Sequence, residues 1–425
     1  MKVCVITLGC KVNAYESEHI KEQFINKDYK IVRIDENPDV VIINTCTVTN
    51  QSDAKSRKMI RLAKRTNPNC VLVVCGCASE HHKEKLIDLD IDILIGNHNK
   101  SKIVELVTNY LKNQNKIVEF PNIMEVPFEN MEIKKFLNRT RGFVKIQDGC
   151  NNYCSYCIIP YMRGNCRSKD IIDAYNEIKD LVSNGYKEIV LTGIHTGNYG
   201  EDKDYDLVDL IKLITPLENL LRIRISSIEI TEITDKFINE LKTNRKLCNH
   251  MHIPLQSGSN EILKLMNRKY NKEEYINIIN KIREARPNIN ITTDLIVGFP
   301  YENDELFKET IETIKKIEFT KIHVFPYSIR DNTKAATMKN QVDEKIKKGR
   351  VQEILNLSNY LETKYYQKFL NKEVEVLIEN ENEGLTDNYI KVKLEKKYNN
   401  GETKKVIIRK VDNKEVYGEI LIAEK

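Results

Sequence analysis

The strongest constraint on the fold is a pattern that repeats in the first third of the chain, where short apolar runs alternate with amphipathic stretches. The apolar runs fall at residues 3–10, 39–46, 69–77 and 91–96. Helical periodicity follows them, most clearly at residues 13–27 and 51–65 and in the stretch that ends near residue 113. Buried strands that alternate with helices are typical of a doubly wound parallel sheet. The sequence therefore predicts a parallel α/β domain at the N terminus.

Three of the predicted strands end in a cysteine, namely Cys10, Cys46 and Cys77. Because parallel strands bring their C-terminal ends to one edge of a sheet, we expect these thiols to lie close together. Free cysteines are often just small buried apolar residues. Three cysteines that each stand at the C-terminal end of a strand nevertheless favour a metal site. Cys75 lies on the same strand face as Cys77 and is an alternative third ligand. We prefer Cys77 because it follows Gly76 at the edge of the loop.

A second group of cysteines occupies one short loop, in the segment CNNYCSYC. Cys150, Cys154 and Cys157 have the spacing Cys-x3-Cys-x2-Cys. Zinc sites usually have four ligands and paired Cys-x2-Cys units, which this loop lacks. Three thiolates instead suit three corners of an iron–sulfur cubane and leave one iron open. An open iron can chelate the amino and carboxylate groups of S-adenosylmethionine, whose one-electron cleavage gives a 5′-deoxyadenosyl radical.

Six apolar runs in the middle of the chain predict a second set of parallel strands. They fall at residues 142–149, 187–193, 222–228, 250–256, 290–298 and 321–328, and helical stretches separate them. Six βα units predict a partial barrel whose active-site residues stand at the C-terminal ends of the strands. Those ends are polar and contain Thr192, Gly193, His195, Ser226, Ser227, Glu229, Gln256, Ser257 and Asp294.

The last part of the chain predicts a long helix and a small β module. The helix covers residues 342–372, and short strands follow at 373–379, 389–394, 404–408 and 419–423. Residues 391–410 hold eight basic residues, which are Lys391, Lys393, Lys396, Lys397, Lys404, Lys405, Arg409 and Lys410. Such a run is often only a solvated face, and it is also typical of a surface that binds nucleic acid.

Composition excludes several classes of protein. With 67 Lys and Arg against 62 Asp and Glu, the net charge of +5 excludes a strongly basic chromatin-type protein. No run approaches the roughly 18 apolar residues of a membrane span, and the opening MKVCVITLGC lacks the cleavage site of a signal peptide. An odd count of 11 cysteines argues against a disulfide framework and for metal or redox chemistry. We therefore expect a cytoplasmic protein without a membrane partner.

Segments along nearly the whole chain resemble the radical S-adenosylmethionine methylthiotransferase family. They are TLGCKVN (7–13), NTCTVT (44–49), GCASE (76–80), IQDGCNNYCSYCIIPYMRG (146–164), LTGIHTGNYG (191–200), HIPLQSGS (252–259), TDLIVGFP (293–300) and HVFPYS (323–328). The lysine and valine of TLGCKVN resemble the branch that acts on threonylcarbamoyladenosine in transfer RNA. The isopentenyladenosine branch typically has a Gln-Met-Asn version at this place.

The resemblance implies an enzyme that adds a methylthio group to C2 of N6-threonylcarbamoyladenosine, 3′ to the anticodon of tRNA. It implies two 4Fe–4S clusters, a radical-forming cluster on Cys150, Cys154 and Cys157 and an auxiliary one on Cys10, Cys46 and Cys77. S-adenosylmethionine would serve as methyl donor and radical source. The expected cofactor-binding residues are Tyr156, Gly193, Ser226, Glu229, Gln256 and Asp294. The β module resembles a small antiparallel RNA-binding barrel of the TRAM type, with Lys396, Lys397, Lys404 and Lys405 as expected RNA contacts.

Two alternatives remain open at this point. One is the same chemistry on isopentenyladenosine in tRNA or on a ribosomal-protein aspartate, and the other is an iron–sulfur RNA-binding sensor without catalysis. A radical enzyme would also need a reductant such as flavodoxin or ferredoxin, and a sulfur donor that the sequence does not identify. The expected domains are an α/β domain (1–115), a linker (116–136), a radical S-adenosylmethionine partial barrel (137–368) and the β module (369–425).

Overall fold

The N-terminal part of the computed structural model, which describes residues 1–137 and 139–421, is built on a six-stranded parallel sheet. In the order β2-β1-β3-β4-β5-β6, the sheet contains β1 (Lys2–Thr7), β2 (Lys30–Ile31), β3 (Val40–Thr45), β4 (Val71–Gly76), β5 (Ile93–Ile95) and β6 (Ile117–Glu119). The central strands β3 and β4 are buried along their whole length, as expected when helices cover both faces. The predicted doubly wound parallel sheet is confirmed.

The helices of this part are α1 (Lys11–Ile25), α2 (Asn50–Thr66), α3 (Cys77–His81), α4 (Lys83–Ile87) and α5 (Ile103–Asn113). They cover two separate apolar cores, one on each face of the sheet. The sheet extends beyond the expected boundary at residue 115, because β6 pairs with β5 within the segment that the sequence analysis treated as a linker. Its two apolar residues are too few to give a periodic signal. The rest of that segment is irregular, but Met131, Ile133 and Phe136 are buried in the core of the central barrel.

The central barrel contains six parallel strands in two three-stranded sheets, β7-β10-β11 and β12-β13-β14. Its strands and a short antiparallel pair are β7 (Gly142–Lys145), β8 (Gln147–Asp148), β9 (Arg167–Ser168), β10 (Glu188–Thr192), β11 (Arg222–Ile225), β12 (His250–His252), β13 (Asn290–Val297) and β14 (Lys321–Pro326). A bridge between Ile223 and Leu247 connects the two sheets. This arrangement confirms the partial barrel expected from the sequence.

Helices alternate with these strands. They are α6 (Ile159–Arg163), α7 (Ile171–Ser183), α8 (Leu207–Ile214), α9 (Asp235–Thr243), α10 (Asn260–Leu265), α11 (Lys272–Ala285), α12 (Asp304–Ile317) and α13 (Glu344–Gln367). Capping boxes begin α8 at Asp206 and α11 at Asn271, which satisfies backbone donors that the first turn leaves free. Within the described residues, no helix is both long enough and apolar enough to cross a membrane.

The C-terminal module is a closed five-stranded barrel with the order β15-β16-β17-β19-β18. Its strands are β15 (Glu373–Asn380), β16 (Glu383–Thr386), β17 (Lys391–Leu394), β18 (Thr403–Asp412) and β19 (Glu415–Ile420). Two features differ from the expected antiparallel barrel. The strand β16 was not predicted, because it is short and contains only one large apolar residue, and β17 runs parallel to β19. The predicted last strand, 419–423, lies partly outside the described residues.

The C-terminal module closes the base of the central barrel, where the strands begin. Arg222 donates to the Leu385 carbonyl at 2.8 Å, and Arg224 donates to the Asp387 carbonyl at 3.1 Å. The Tyr389 ring stacks on His250, with 4.5 Å between ring centroids. The module is therefore part of the barrel's own packing.

A buried group of charges joins the first domain to the central barrel. Glu16 of α1 is fully buried and accepts hydrogen bonds from Lys100, Lys145 and Arg163 at 2.5, 3.2 and 3.1 Å. Arg163 also donates to Asp148 at 3.0 Å. Burial alone would raise the pKa of Glu16, but the three cations outweigh it and hold this pKa well below its usual range. We call these five residues the Glu16 network.

Replacing Glu16 should destabilise the fold strongly. Glu16→Ala leaves three buried cations with only Asp148 to neutralise them, and removal of one partner from a buried ion pair typically costs about 3–5 kcal/mol. In the parent protein, this contribution is present above the pKa of an unfolded glutamate, about 4.3, and is lost as the pH falls. Urea denaturation at neutral pH measures the change. The control Glu84→Ala removes an exposed carboxylate of α4 and should shift stability by less than about 0.5 kcal/mol. Equal effects of the two substitutions would contradict this role of Glu16.

Candidate active site

A cavity of about 500 Å³ lies where the C-terminal edge of the first sheet faces the mouth of the central barrel. The structure brings ten of the predicted site residues to its wall, namely Cys10, Cys46, Cys77, Gly193, His195, Ser226, Ser227, Glu229, Gln256 and Asp294. The C-terminal ends of the strands in the first sheet and in the barrel therefore face one cavity. Within each of the two, parallel pairing brings these ends to one edge.

Gly9 allows the first two of these cysteines to approach each other. It has a φ of +97°, and a Cβ at this position would lie 2.7 Å from the Sγ of Cys46. Asn13 then ties the two strand ends together, because its side-chain amide donates to the carbonyls of Leu8 and Thr45 at 2.7 and 2.9 Å. Cys10 itself is the N-cap residue of α1, where the helix dipole favours a thiolate.

Gly76 has the corresponding role for the third cysteine, Cys77, because it allows a close approach of two strand ends. It has a φ of +99°, and a Cβ there would lie 2.5 Å from the carbonyl oxygen of Thr45. The next residue, Cys77, lines the cavity, with its Sγ 3.8 Å from the Asn97 side-chain oxygen. Cys75 instead lies in the apolar core of the sheet, with its Sγ 3.7 Å from the Ile43 carbonyl. This geometry favours Cys77 over Cys75 as the partner of Cys10 and Cys46.

The loop with the other three cysteines lies at the barrel mouth and is held by Ser155. The Ser155 N–H donates to the Met266 carbonyl at 3.0 Å, and its hydroxyl donates to the Leu265 carbonyl at 2.8 Å. One cysteine of the loop, Cys154, accepts a hydrogen bond from Arg268 at 3.2 Å. His195, whose imidazole interacts with Cys150, pairs with Glu232. Although burial opposes the charge, Cys150 and Glu232 together raise the pKa of His195 to about 10.

The electrostatics of the thiols fit a metal cluster. Burial raises the pKa of Cys157 to about 12 and that of Cys46 to about 11. Burial also raises the pKa values of Cys10 and Cys154, against the opposing charges of Arg163 and Arg268. Such thiols stay protonated at neutral pH unless a metal cation replaces the proton. Two groups of three cysteines, each beside an arginine, fit iron–sulfur clusters held by three thiolates.

A second cavity of about 230 Å³ adjoins the first beside Cys157. Tyr156 lines this smaller cavity, and Gln256 and Asp294 belong to the walls of both cavities. The six expected cofactor-binding residues are thus divided between the two spaces, with Gly193, Ser226 and Glu229 on the larger one. Glu229 is already paired with Arg268.

Two arginines at this site were missed by the sequence analysis. Arg163 follows the cysteine loop on α6, is fully buried, and donates to the Asn13 side-chain oxygen at 2.6 Å. Arg268 precedes α11 and contacts both Glu229 and Cys154. The one signal for Arg163 was its place in the YMRG segment next to the loop. Arg268 lies more than 100 residues from Cys154 in sequence, and no local pattern indicates that contact.

The tail lysines are distant from these cavities and most of them are ion-paired. Lys397 pairs with Glu381, Lys404 with Glu402 at 2.7 Å, and Lys405 with Glu373 at 3.3 Å. Ion pairs also engage Lys391, Lys393, Arg409 and Lys410. Lys396 is exposed and has no ion pair with the described residues. The basic run is therefore largely neutralised by its own neighbours, and its contact with RNA stays a prediction.

The matches to known families agree with this architecture. The Radical SAM superfamily matches residues 144–314, and Uncharacterized protein family UPF0004 matches residues 2–96. The solved structure of the radical S-adenosylmethionine methyltransferase TsrM from Kitasatospora setae has a similar fold. It covers 76% of this chain and 72% of its own, with a TM-score of 0.57 and 14% identity. The barrel and its three-cysteine loop define a radical S-adenosylmethionine enzyme, a class with a 4Fe–4S cluster and S-adenosylmethionine as cofactors.

Curated relatives narrow this class. The chain is 45% identical to the threonylcarbamoyladenosine tRNA methylthiotransferase MtaB of Bacillus subtilis (strain 168), over 91% of this chain and 88% of the relative. It is 40% identical to MtaB of Aquifex aeolicus (strain VF5), over 96% and 100% of the two chains. It is 35% identical to the tRNA-2-methylthio-N(6)-dimethylallyladenosine synthase of Alkaliphilus oremlandii (strain OhILAs), over 89% and 82%. The chain belongs to this family of tRNA methylthiotransferases, which confirms the resemblance seen in its sequence segments.

Substitution of Cys77 should remove metal, whereas substitution of Cys75 should not. Cys77→Ala deletes a thiol on the cavity wall, so we expect the iron content after anaerobic reconstitution to fall by up to one cluster, about four irons. Cys75→Ala makes only a small change in the apolar core and serves as the matched control. Iron and sulfide per chain are the measured quantities. Loss of iron in Cys75→Ala together with full iron in Cys77→Ala would reverse the assignment.

Proposed function

We propose that the protein adds a methylthio group to C2 of N6-threonylcarbamoyladenosine, 3′ to the anticodon of tRNA. The observation that carries this proposal is that Cys10, Cys46 and Cys77 line the larger cavity and Cys157 lines the smaller cavity that adjoins it. The two cavities have four wall residues in common: Val48, Ile159, Gln256 and Asp294. A sensor that only bound RNA would not need two cluster sites to share one reaction space. The shared wall therefore supports an enzyme over a sensor.

In this proposal, Cys150, Cys154 and Cys157 hold one 4Fe–4S cluster, and Cys10, Cys46 and Cys77 hold a second. When bound, the clusters and S-adenosylmethionine supply the radical that removes a hydrogen from an unactivated carbon, the sulfur that replaces it and the methyl group. C2 of the adenine has neither a leaving group nor an acidic proton, so acid–base catalysis alone would not suffice. We accordingly assign no catalytic side chain beyond the cluster ligands.

The protein's own side chains position these groups and exclude water. Asn13 and Arg163 join the strand ends that carry Cys10 and Cys46 to the helix that follows the cysteine loop. Tyr156, Gln256 and Asp294 form the wall where S-adenosylmethionine would bind beside Cys157. Val48 and Ile159 are apolar residues on the wall that the two cavities share. Once the cofactor and the tRNA fill the cavities, such apolar side chains would help to keep water from a reactive intermediate.

The choice of substrate follows the relatives. The names of those at 45% and 40% identity specify threonylcarbamoyladenosine, whereas the name of the relative at 35% specifies dimethylallyladenosine. The difference in identity favours the first substrate. Dimethylallyladenosine is the second candidate, because relatives with that name match most of the chain as well.

The tail module is proposed to be a TRAM-type RNA-binding barrel that holds the tRNA. Since Lys397, Lys404 and Lys405 are paired with carboxylates, phosphate contacts would have to replace these pairs, while Lys396 is already exposed. A reductant such as flavodoxin or ferredoxin would supply the electrons, and the sulfur donor remains unassigned. A tRNA substrate would place the reaction in the cytoplasm.

Substitutions in the two cysteine groups should affect two different steps, the cleavage of S-adenosylmethionine and the transfer of the methylthio group. Ala in place of Cys150, Cys154 or Cys157 should abolish release of 5′-deoxyadenosine from S-adenosylmethionine. The triple variant with Ala at Cys10, Cys46 and Cys77 should still release it but should form no methylthio product. The assay contains reconstituted protein, a chemical reductant and tRNA that carries threonylcarbamoyladenosine, and mass spectrometry of the nucleosides identifies the product.

Each alternative predicts a different result in this assay. A parent protein that binds tRNA but releases no 5′-deoxyadenosine would support the sensor. Methylthiolation of dimethylallyladenosine without methylthiolation of threonylcarbamoyladenosine would show that the substrate is the former. Normal cleavage by the Cys150, Cys154 and Cys157 variants would overturn the assignment of the radical-forming cluster.

Charge reversal in the tail should weaken tRNA binding and make it less dependent on salt. The variant carries Lys396→Glu, Lys397→Glu, Lys404→Glu and Lys405→Glu, because truncation would uncover the barrel base. If these lysines contact phosphates, the slope of log K against log salt should fall by about one for each lost contact. Binding isotherms at several salt concentrations measure it. Lys27→Glu with Lys30→Glu, at the far edge of the first sheet, is the control for net charge and is compared with Lys396→Glu with Lys397→Glu, a double variant that changes the net charge by the same amount. Equal changes in affinity and salt dependence in the tail variant and the control would show that the RNA does not bind to these tail lysines.

A further inference from the structure

Lys11 places a cation on the wall of the larger cavity. It is the first residue of α1 and follows Cys10 directly. Its side chain is exposed, and Lys11 lines the cavity together with Cys10, Val12 and Asn13. Lys11 takes no part in the contacts that hold the strand ends together, so its charge is available to a bound molecule.

The other cationic side chains of this wall are already paired. Arg163 is bound by Glu16 and Asp148 in the Glu16 network. His195 pairs with Glu232, and His252 lies 3.3 Å from Asp294. Lys11 has no carboxylate within ion-pair distance among residues 1–137 and 139–421. The cavity therefore offers a ligand one unpaired positive charge on the part of its wall that the structure describes.

The two adenosines that relatives modify differ in charge. The N6 substituent of threonylcarbamoyladenosine ends in a carboxylate, whereas the dimethylallyl group is an uncharged hydrocarbon. A carboxylate that leaves water for a cavity needs a charged or hydrogen-bonding partner, because its desolvation is otherwise costly. We propose that the Lys11 ammonium group binds the carboxylate of the threonylcarbamoyl substituent and thereby selects this substrate, an inference that rests on the proposed function. Lys11 then acts in substrate recognition and not in the chemistry.

The test combines a change in Lys11 with a change in the carboxylate. Parent, Lys11→Met and Lys11→Arg are compared on two tRNA anticodon stem-loops. One carries threonylcarbamoyladenosine, and the other carries the methyl ester of the same group, which keeps its shape but has no charge. The dissociation constant of each stem-loop and the KM and kcat for methylthiolation are measured with reconstituted protein.

We expect Lys11→Met to weaken binding of the acid stem-loop and to raise its KM by about 10- to 100-fold. The same substitution should change binding of the ester by less than about 3-fold, because no charge pair is lost there. Lys11→Arg should recover most of the affinity for the acid. Lys27→Met removes a lysine beyond the end of α1 and is the matched control. Iron content equal to that of the parent must accompany the effect, since Lys11 adjoins Cys10.

Equal weakening of the acid and ester stem-loops by Lys11→Met would overturn the role of Lys11 while leaving the proposed function in place. A parent protein that forms no methylthio product from the acid stem-loop would overturn the proposed function itself. The effect of Lys11→Met on the ratio of acid to ester affinity therefore tests Lys11, and product formation by the parent tests the proposed function, so the two failures are distinguishable.

Discussion

The structure depends most on the Glu16 network, the buried charges that join the first sheet to the central barrel. Cys10 lies six residues before Glu16, and Arg163 lies six residues after Cys157, so the network fixes both cysteine groups relative to each other. Its cations outnumber its carboxylates. Burial alone would lower the pKa of Arg163, but Asp148 and Glu16, with Cys77 and Cys10, raise it well above its usual value. The network thus supplies positive charge beside Cys10 and Cys77, where thiolates that bind a cluster are expected. The stability of the network therefore depends on the charge of these thiols.

Much of this arrangement could be predicted from the sequence, because parallel strands bring distant residues to one edge. Cys10, Cys46 and Cys77 line one cavity for that reason, and the glycine before Cys77 favoured it over Cys75, a choice that the positions of the two thiols support. The sequence could not indicate β2, β6 or β16, since strands of two to four residues carry no periodic signal. It also could not indicate that Arg163 pairs with Glu16, 147 residues away. Pairing between distant charged residues leaves no local pattern.

Charge is used in opposite ways at the two ends of the molecule. Around the larger cavity, buried arginines stand beside thiols, and Lys11 has no ion pair with the residues that the structure describes. In the tail, a run that is basic in sequence is neutralised by carboxylates from neighbouring strands, such as Glu373 for Lys405 and Glu415 for Lys393. A count of basic residues along the sequence therefore overestimates the positive potential of the tail and does not reveal that of the cavity. Both potentials depend on which charged residues the fold brings together.

The closure of the barrel base by the C-terminal module has a consequence for how the chain reaches its native state during synthesis. Arg222 leaves the ribosome 163 residues before its partner Leu385. At a synthesis rate of about 5–20 residues per second, the carbonyl that accepts its hydrogen bond is made roughly ten to thirty seconds after Arg222. Until then the base of the barrel is open and two arginines lack their final partners. The last fifty residues thus complete a barrel whose strands were made long before, and the nascent enzyme passes through an unsealed stage that chaperones could recognise.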